Sequence, residues 1–103
     1  MDDQGFKFKP NPYVVARFFE RLQRTKTGRL KRTQLQVATG LKSSDFARYL
    51  ERLLDLGLLE LEEEDGKTFI RPTAKGWDLY YSLLQILREL AGIARMEERK
   101  RHD

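Results

Sequence analysis

Hydrophobic residues recur first with a helical period and then with a period of two, and the changes of period divide the chain into elements. Val14, Val15, Phe18, Phe19 and Leu22 follow helical spacing. Asn11-Pro12 in front of them supplies a cap and a first-turn proline, and the Thr25-Lys26-Thr27-Gly28 cluster behind them is a stop. This pattern turns Arg17, Glu20, Arg21 and Arg24 outward. Leu30 reads as a short extended piece before a second helix over about 31–39, with Leu35 and either Val37 or Ala38 facing inward and Gly40 as the stop. A third helix, 43–56, starts at Ser43 or Ser44, whose hydroxyl suits an N-cap. At 100° per residue, Phe46, Leu50 and Leu53, with Tyr49 and Leu54 more loosely, share one face; Ser44, Arg48, Glu51, Arg52 and Asp55 share the other. Gly57 ends this helix.

The period then shortens. Leu59 and Leu61 alternate with glutamates, Asp65-Gly66 is a tight-turn signal, and Thr68-Phe69-Ile70-Arg71 returns as a second strand closed by Pro72, which together predict a hairpin. Thr73 caps a last helix whose apolar residues (Trp77, Tyr80, Leu83, Leu84, Leu87, Leu90, Ile93, Ala94) continue to about Met96, before a charged end expected to fray. Residues 1–10 lack a helical period and read as a flexible arm, in which Phe6 and Phe8 alternate with Lys7 and Lys9 and are available for packing. The division is therefore an arm at 1–10, a folded unit at 11–72, and a helix with its tail at 73–103.

A last helix over 74–100 is about 40 Å long at 1.5 Å per residue, whereas the rest of so small a chain forms a globule only about 30 Å across. It must overhang. The overhang carries Leu83, Leu87, Leu90 and Ala94, beside a second stripe of Leu79, Leu83, Ile86, Leu90 and Ile93. So broad an apolar stripe predicts a partner helix in a coiled coil, with Tyr80, Leu83, Leu87, Leu90 and Ala94 at the interface and the small Ala91, Gly92 and Ala94 allowing close approach. The alternative is a monomer in which the helix bends back at Gly92 over the first helix.

At 103 residues the chain is one domain in size. With no cysteine and a single histidine, His102, a disulfide framework and thiolate metal sites are excluded, and no nucleophile, base and orienting group come together. The expectation is a protein that is not an enzyme, with no cofactor and no metal. Gly66-Lys67-Thr68 lacks the upstream glycine of a phosphate-binding loop, and Glu62–Asp65 lacks the spacing of a calcium loop. Trp77, Tyr80 and Tyr81 have core or interface spacing rather than that of a base-stacking platform. No apolar run is long enough for a membrane span, and the acidic start lacks the apolar core of a signal peptide. A soluble, cytoplasmic protein with no membrane partner is expected.

The net charge of +4 is unevenly distributed. Residues 1–59 hold 12 basic and 6 acidic side chains, 60–72 hold 2 and 5, and 73–103 hold 6 and 5. From Arg21 to Ser44 there are seven basic residues (Arg21, Arg24, Lys26, Arg29, Lys31, Arg32, Lys42) and no carboxylate, which suits a polyanion surface or, more simply, a solvated basic face.

The order helix, short strand, helix, turn, helix, hairpin, helix is the layout of a winged helix-turn-helix, mainly α with a small β-hairpin wing. Thr39-Gly40-Leu41 is the turn, the following helix carries Arg48 and Leu53, Gly57-Leu58-Leu59 leads into the wing, and Thr73-Ala74-Lys75-Gly76 opens the final helix. Over residues 12–96 the chain resembles small archaeal winged-helix DNA-binding proteins and, more distantly, MarR-type regulators. The resemblance implies a homodimer joined by its C-terminal helix, with the third helix of each copy in a major groove of double-stranded DNA. The resemblance is specific for the fold and less so for a biological role, for which the leading expectation is a nucleoid-associated transcription regulator.

The residues fit that docking. Lys42, Ser43 and Ser44 lie where a helix N-terminus meets phosphate, and Arg48, a turn further, suits bidentate contact with guanine. Ser44 and Asp45 reach neighbouring base edges, Arg52 reaches phosphate, and Arg29, Lys31 and Arg32 extend the backbone contact. Alternatively, Arg48 and Arg52 pair with Asp45, Glu51 or Asp55 on the helix's own surface. The wing departs from the family pattern: Glu60, Glu62, Glu63, Glu64 and Asp65 stand against Lys67 and would repel phosphate. Either the wing points away from the duplex, or it takes a basic protein partner and the domain is a protein-interaction module, or it is a solvated acidic turn. An abundant, weakly specific chromatin-type DNA binder is a further alternative.

Overall fold

The computed structural model describes residues 8–102, with side chains placed for residues 8–93 and for Arg95. Phe6 and the side chain of Ala94 lie outside the described residues. The elements are α1 (Pro12–Gln23), α2 (Arg32–Thr39), α3 (Ser43–Asp55), β1 (Leu59–Glu64), β2 (Lys67–Pro72) and α4 (Ala74–His102).

Helix α1 starts as its sequence requires. Asn11 Oδ1 accepts from the Tyr13 amide at 2.8 Å, and Pro12 occupies the first turn, where its missing N–H leaves nothing unpaired. The Asn11 amide donates to Tyr49 Oη at 2.8 Å, and the Phe8 ring stands edge-on to Tyr49, so the end of the arm is tied to α3. Phe18, Phe19 and Leu22 are fully buried and meet Leu35 from α2, Phe46, Leu50 and Leu53 from α3, and Leu58, Leu59 and Ile70 around the hairpin in one continuous core. Phe18 stacks on Phe46 at 5.5 Å between centroids, which gives α1 and α3 a shared aromatic centre.

The outward positions of α1 need correction. Arg17 Nη1 donates to Thr39 O and Arg21 Nε to Ala38 O, both at 2.9 Å, and both arginines are half-buried. These carbonyls lie at the end of α2, where no intrahelical partner exists, so two arginines one turn apart supply the missing donors. Gly40 follows with φ 72°, the left-handed conformation that closes α2. Of the two inward candidates in α2, Ala38 is half-buried and Val37 is 81% exposed. The start of α3 also differs: its N-cap is Lys42, with no side-chain cap, and Ser43 and Ser44 fall in the first turn.

The hairpin is antiparallel, with Leu59 opposite Pro72 and Glu64 opposite Lys67 across an Asp65-Gly66 turn in which both residues have positive φ (53° and 74°). Two positive φ values match the right-handed twist of the flanking strands. Leu30 adds a single rung on the other side of β2: its amide donates to Ile70 O at 3.1 Å and its carbonyl accepts from the Ile70 amide at 2.7 Å. Leu59 is buried, whereas Leu61, two residues on, is 57% exposed although Ile70, opposite it on β2, is buried.

Thr73 caps α4 as expected, its Oγ1 accepting from the Gly76 amide at 3.0 Å. The helix continues to His102, past the last apolar position near Met96 and close to the expected 74–100 span, and runs unbroken through Gly92. Its 29 residues span about 43 Å at helical rise, and the molecule measures 61 × 42 × 25 Å, so the helix overhangs the globule.

Candidate nucleic-acid interface

Buried Phe46, Tyr49, Leu50 and Leu53 fix the rotation of α3 about its axis, leaving Ser44, Arg48, Glu51, Arg52 and Asp55 exposed on the opposite face. Lys42 and Ser43 are exposed at its start, and Asp45 is half-buried. Among the described residues, no carboxylate lies within ion-pair distance of Arg48 or Arg52, so the pairing with Asp45, Glu51 or Asp55 allowed by sequence is not made.

Helix α2 is joined to this face. Gln36 Nε2 donates to Ser43 Oγ at 3.1 Å, and the Arg32 guanidinium lies over the Phe46 ring, 5.5 Å from its centroid. Lys31 is positioned at the start of α2 by its amide, which donates to Gln34 Oε1 at 3.0 Å. Arg32 and Lys42 thus lie beside the first turns of α3, Lys31 precedes Arg32 at the start of α2, and none of the three has a carboxylate partner among the described residues. Sequence alone does not single out Gln36 or its bond to Ser43; the available signal is a polar residue one turn before the Gly40 turn.

The basic run is less free than its composition suggests. Arg21 and Arg24 pair with Glu20, the latter at 2.6 Å. Arg29, expected on the polyanion surface, instead pairs with Glu62 and Glu64 of the wing and lies 4.1 Å from the centroid of the Phe69 ring, its side chain only 17% exposed. Arg71 pairs with Glu62 at 2.8 Å and Glu60 at 3.4 Å. Three wing carboxylates are therefore matched within the chain, which leaves Glu63 and Asp65 exposed at the tip beside Lys67. Arg29, within a carboxylate-free stretch of sequence, thus has its counterions 33 and 35 residues away.

Hydrogen bonds from Arg71 and then Arg29 hold the Glu62 carboxyl below the usual carboxylate range, and Glu64 followed by Glu62 raises Arg29. A depressed carboxylate contributes stability above its unfolded value and loses it as pH falls through the folded one. Wing anchoring should thus be intact from neutrality down to about pH 4 and be lost below it. A carbon-detected NMR titration should place the Glu62 midpoint below the ordinary value of about 4.3, and Arg71→Ala should move it upward. A normal midpoint unaffected by that substitution would contradict the geometry.

Tyr80, expected between copies, belongs to the chain's own core: it is 3% exposed, stacks on Phe19 at 5.7 Å, and burial pushes its phenol up from the ordinary range. Leu83 and Leu87 are half-buried against the same core, together with Trp77 and Leu84. Besides Tyr81, the exposed large apolar residues in the described part of α4 are those of the second stripe: Ile86, Leu90 and Ile93 are 52–54% exposed and Leu79 follows at 39%. Their spacings of seven, four and three are those of a coiled-coil seam.

Four helices, the turn at Gly40, the hairpin and its Leu30 rung define a winged helix-turn-helix domain with an extended C-terminal helix. No protein-family model matches the chain and no curated protein sequence matches it. Among solved structures, it is similar to Sso10a-2, a DNA-binding protein from Sulfolobus solfataricus, at TM-score 0.73 and 14% identity over 88% of this chain and 92% of that one. A MarR family transcriptional regulator from Streptomyces coelicolor matches at 0.68 and 16% over 85% of this chain, and a possible HxlR family transcriptional factor from Thermoplasma volcanium at 0.64 and 22% over 92%. The chain spans 60% of the Streptomyces protein and 84% of the Thermoplasma one. At these identities the likeness is one of fold. Among the described residues no helix is long and apolar enough to cross a membrane.

Proposed function

We propose that the protein is a homodimeric double-stranded DNA-binding protein that regulates transcription, acting on the nucleoid in the cytoplasm and reading the major groove with α3. The observation that carries this reading is the exposed face of α3, where Arg48 and Arg52 have no carboxylate partner among the described residues. Arg32 and Lys42 beside its first turns, with Lys31 at the start of α2, are suited to backbone phosphate. The fold neighbours that carry DNA-binding or transcription-factor names agree with it. In this reading Arg48 contacts guanine, Ser43 and Ser44 approach the groove wall, and Arg52 takes phosphate. Arg29 has a different task, neutralising the wing. That neutralisation also weakens the case for a basic protein partner, since Glu60, Glu62 and Glu64 already have guanidinium partners.

Selection of bound duplexes from a random pool tests the reading. A preferred site with two-fold symmetry is expected, and Arg48→Ala should bind it more weakly by about 1–3 kcal/mol, roughly five- to 160-fold, with relaxed choice at the contacted base. Neutralising Lys31, Arg32 and Lys42 together should instead weaken every duplex alike and flatten the salt dependence by about one unit for each phosphate no longer neutralised. Unchanged affinity and site choice for Arg48→Ala would remove the base-reading assignment. Equal affinity of the wild type for selected and random DNA would favour a chromatin-type protein.

A further inference from the structure

The end of α3 and the start of α4 are joined by donors on three consecutive carbonyls. Lys75 Nζ donates to Leu56 O at 2.8 Å, Thr73 Oγ1 to Gly57 O at 2.6 Å, and the Thr73 amide to Leu58 O at 3.1 Å. The carbonyls of Leu53 and Leu54 in the last turn of α3 are closed by the chain's own Leu58 and Gly57 amides, which leaves those of Leu56, Gly57 and Leu58 open to other donors. Here they are taken by the first residues of the helix whose exposed stripe is the candidate dimer seam. Lys75 is itself exposed, so core packing does not require it, and its ammonium sits at the negative end of the α3 dipole.

We propose that Thr73 and Lys75 are positioning residues that fix the angle between α3 and α4 and thereby set the spacing of the two half-sites the dimer accepts. This rests on the reading of α3 as the groove-entering helix of a dimer. Arg48 stands eight residues from Leu56, about 12 Å along the helix. A 10° rotation at the joint would displace Arg48 by about 2 Å, well beyond the roughly 0.5 Å tolerance of a working contact. The same rotation in both copies changes their separation by about 4 Å, comparable to the base-pair rise of about 3.4 Å. Discrimination between neighbouring spacings therefore depends on how stiffly this joint is held, although neither residue need touch DNA.

The test compares wild type, Lys75→Met and Lys75→Arg on the selected site, on versions with the half-sites one base pair closer or further apart, and on a single half-site. Lys75→Met keeps the apolar stem and removes the donor, whereas Thr73→Val would also remove the cap of α4 and confound the reading. Wild type should prefer one spacing, and Lys75→Met should lose that preference by about threefold or more as simultaneous engagement becomes less exacting. Its affinity for a single half-site should stay unchanged, and Lys75→Arg should restore the preference. A general loss of stability would lower all affinities together. Lys75→Met with the wild-type spacing preference would overturn the inference while leaving the DNA-binding reading intact, and a wild type that selects no two-fold site would overturn both.

Discussion

Replacing Gly76 by Ala is expected to destabilise the protein by about 3 kcal/mol or more, at the upper end of what overpacking a close contact costs, and to lower Tm by about 12–20 °C for a chain of this size. A Cβ at Gly76 would overlap the Leu58 carbonyl oxygen and press on the buried Phe19 ring at 2.9 Å. Neither neighbour can yield cheaply, since one is backbone in the α3–α4 joint and the other lies at the centre of the core. Gly92→Ala is the matched control: the same substitution on the same helix meets nothing within 4 Å. There the helical preference for alanine predicts a gain of up to about 1 kcal/mol. Thermal unfolding of the two variants side by side should show opposite signs. A Tm for Gly76→Ala within 2 °C of wild type would mean that the close approach of α4 to Leu58 is wrong.

The double substitution Ile86→Glu with Leu90→Glu is expected to give a folded monomer of 12.2 kDa where the proposed wild-type dimer would have twice that mass. Its affinity for a two-fold DNA site should fall by at least about a hundredfold through the loss of simultaneous engagement. The choice of positions matters. Ile86 and Leu90 are half exposed and make no part of the buried core, whereas Leu87 packs against it, so a charge at Leu87 would destabilise the monomer and leave the outcome ambiguous. Light scattering on wild type decides the matter first: a mass near 12 kDa removes the dimer. If wild type is a dimer and the double variant remains one, the seam lies elsewhere on the surface.

The elements were legible in the sequence because each rests on local chemistry. Asn11-Pro12, Gly40, Asp65-Gly66 and Thr73 act through their own backbone neighbourhood, and the face of α3 follows from Phe46, Leu50 and Leu53 alone. What could not be read was the identity of the partner across space. Periodicity placed Arg17 and Arg21 opposite the apolar face of α1, but only the packing of α2 brings its last carbonyls to them. Tyr80 and Leu90 share one apolar pattern on α4, and the end of the globule, which no helical wheel contains, separates the core residue from the exposed one. Arg29 looked like phosphate-binding charge because its carboxylates lie beyond two intervening helices. Val37 shows the converse, an apolar residue left outside because an eight-residue helix presents only Leu35 and Thr39 to the core.

The Leu30–Ile70 rung bears on the order in which the chain assembles. It joins residues 40 apart by two hydrogen bonds and encloses α2, α3 and most of the wing. Closing a loop of that length costs about 3 kcal/mol in chain entropy, more than two such bonds return. The two bonds alone do not offset that closure, so the rung is expected to form together with the burial of Ile70 in the core, late in folding. By the same reasoning it is among the first to open on heating, and substitutions at Ile70 should act mainly by speeding unfolding rather than by slowing folding.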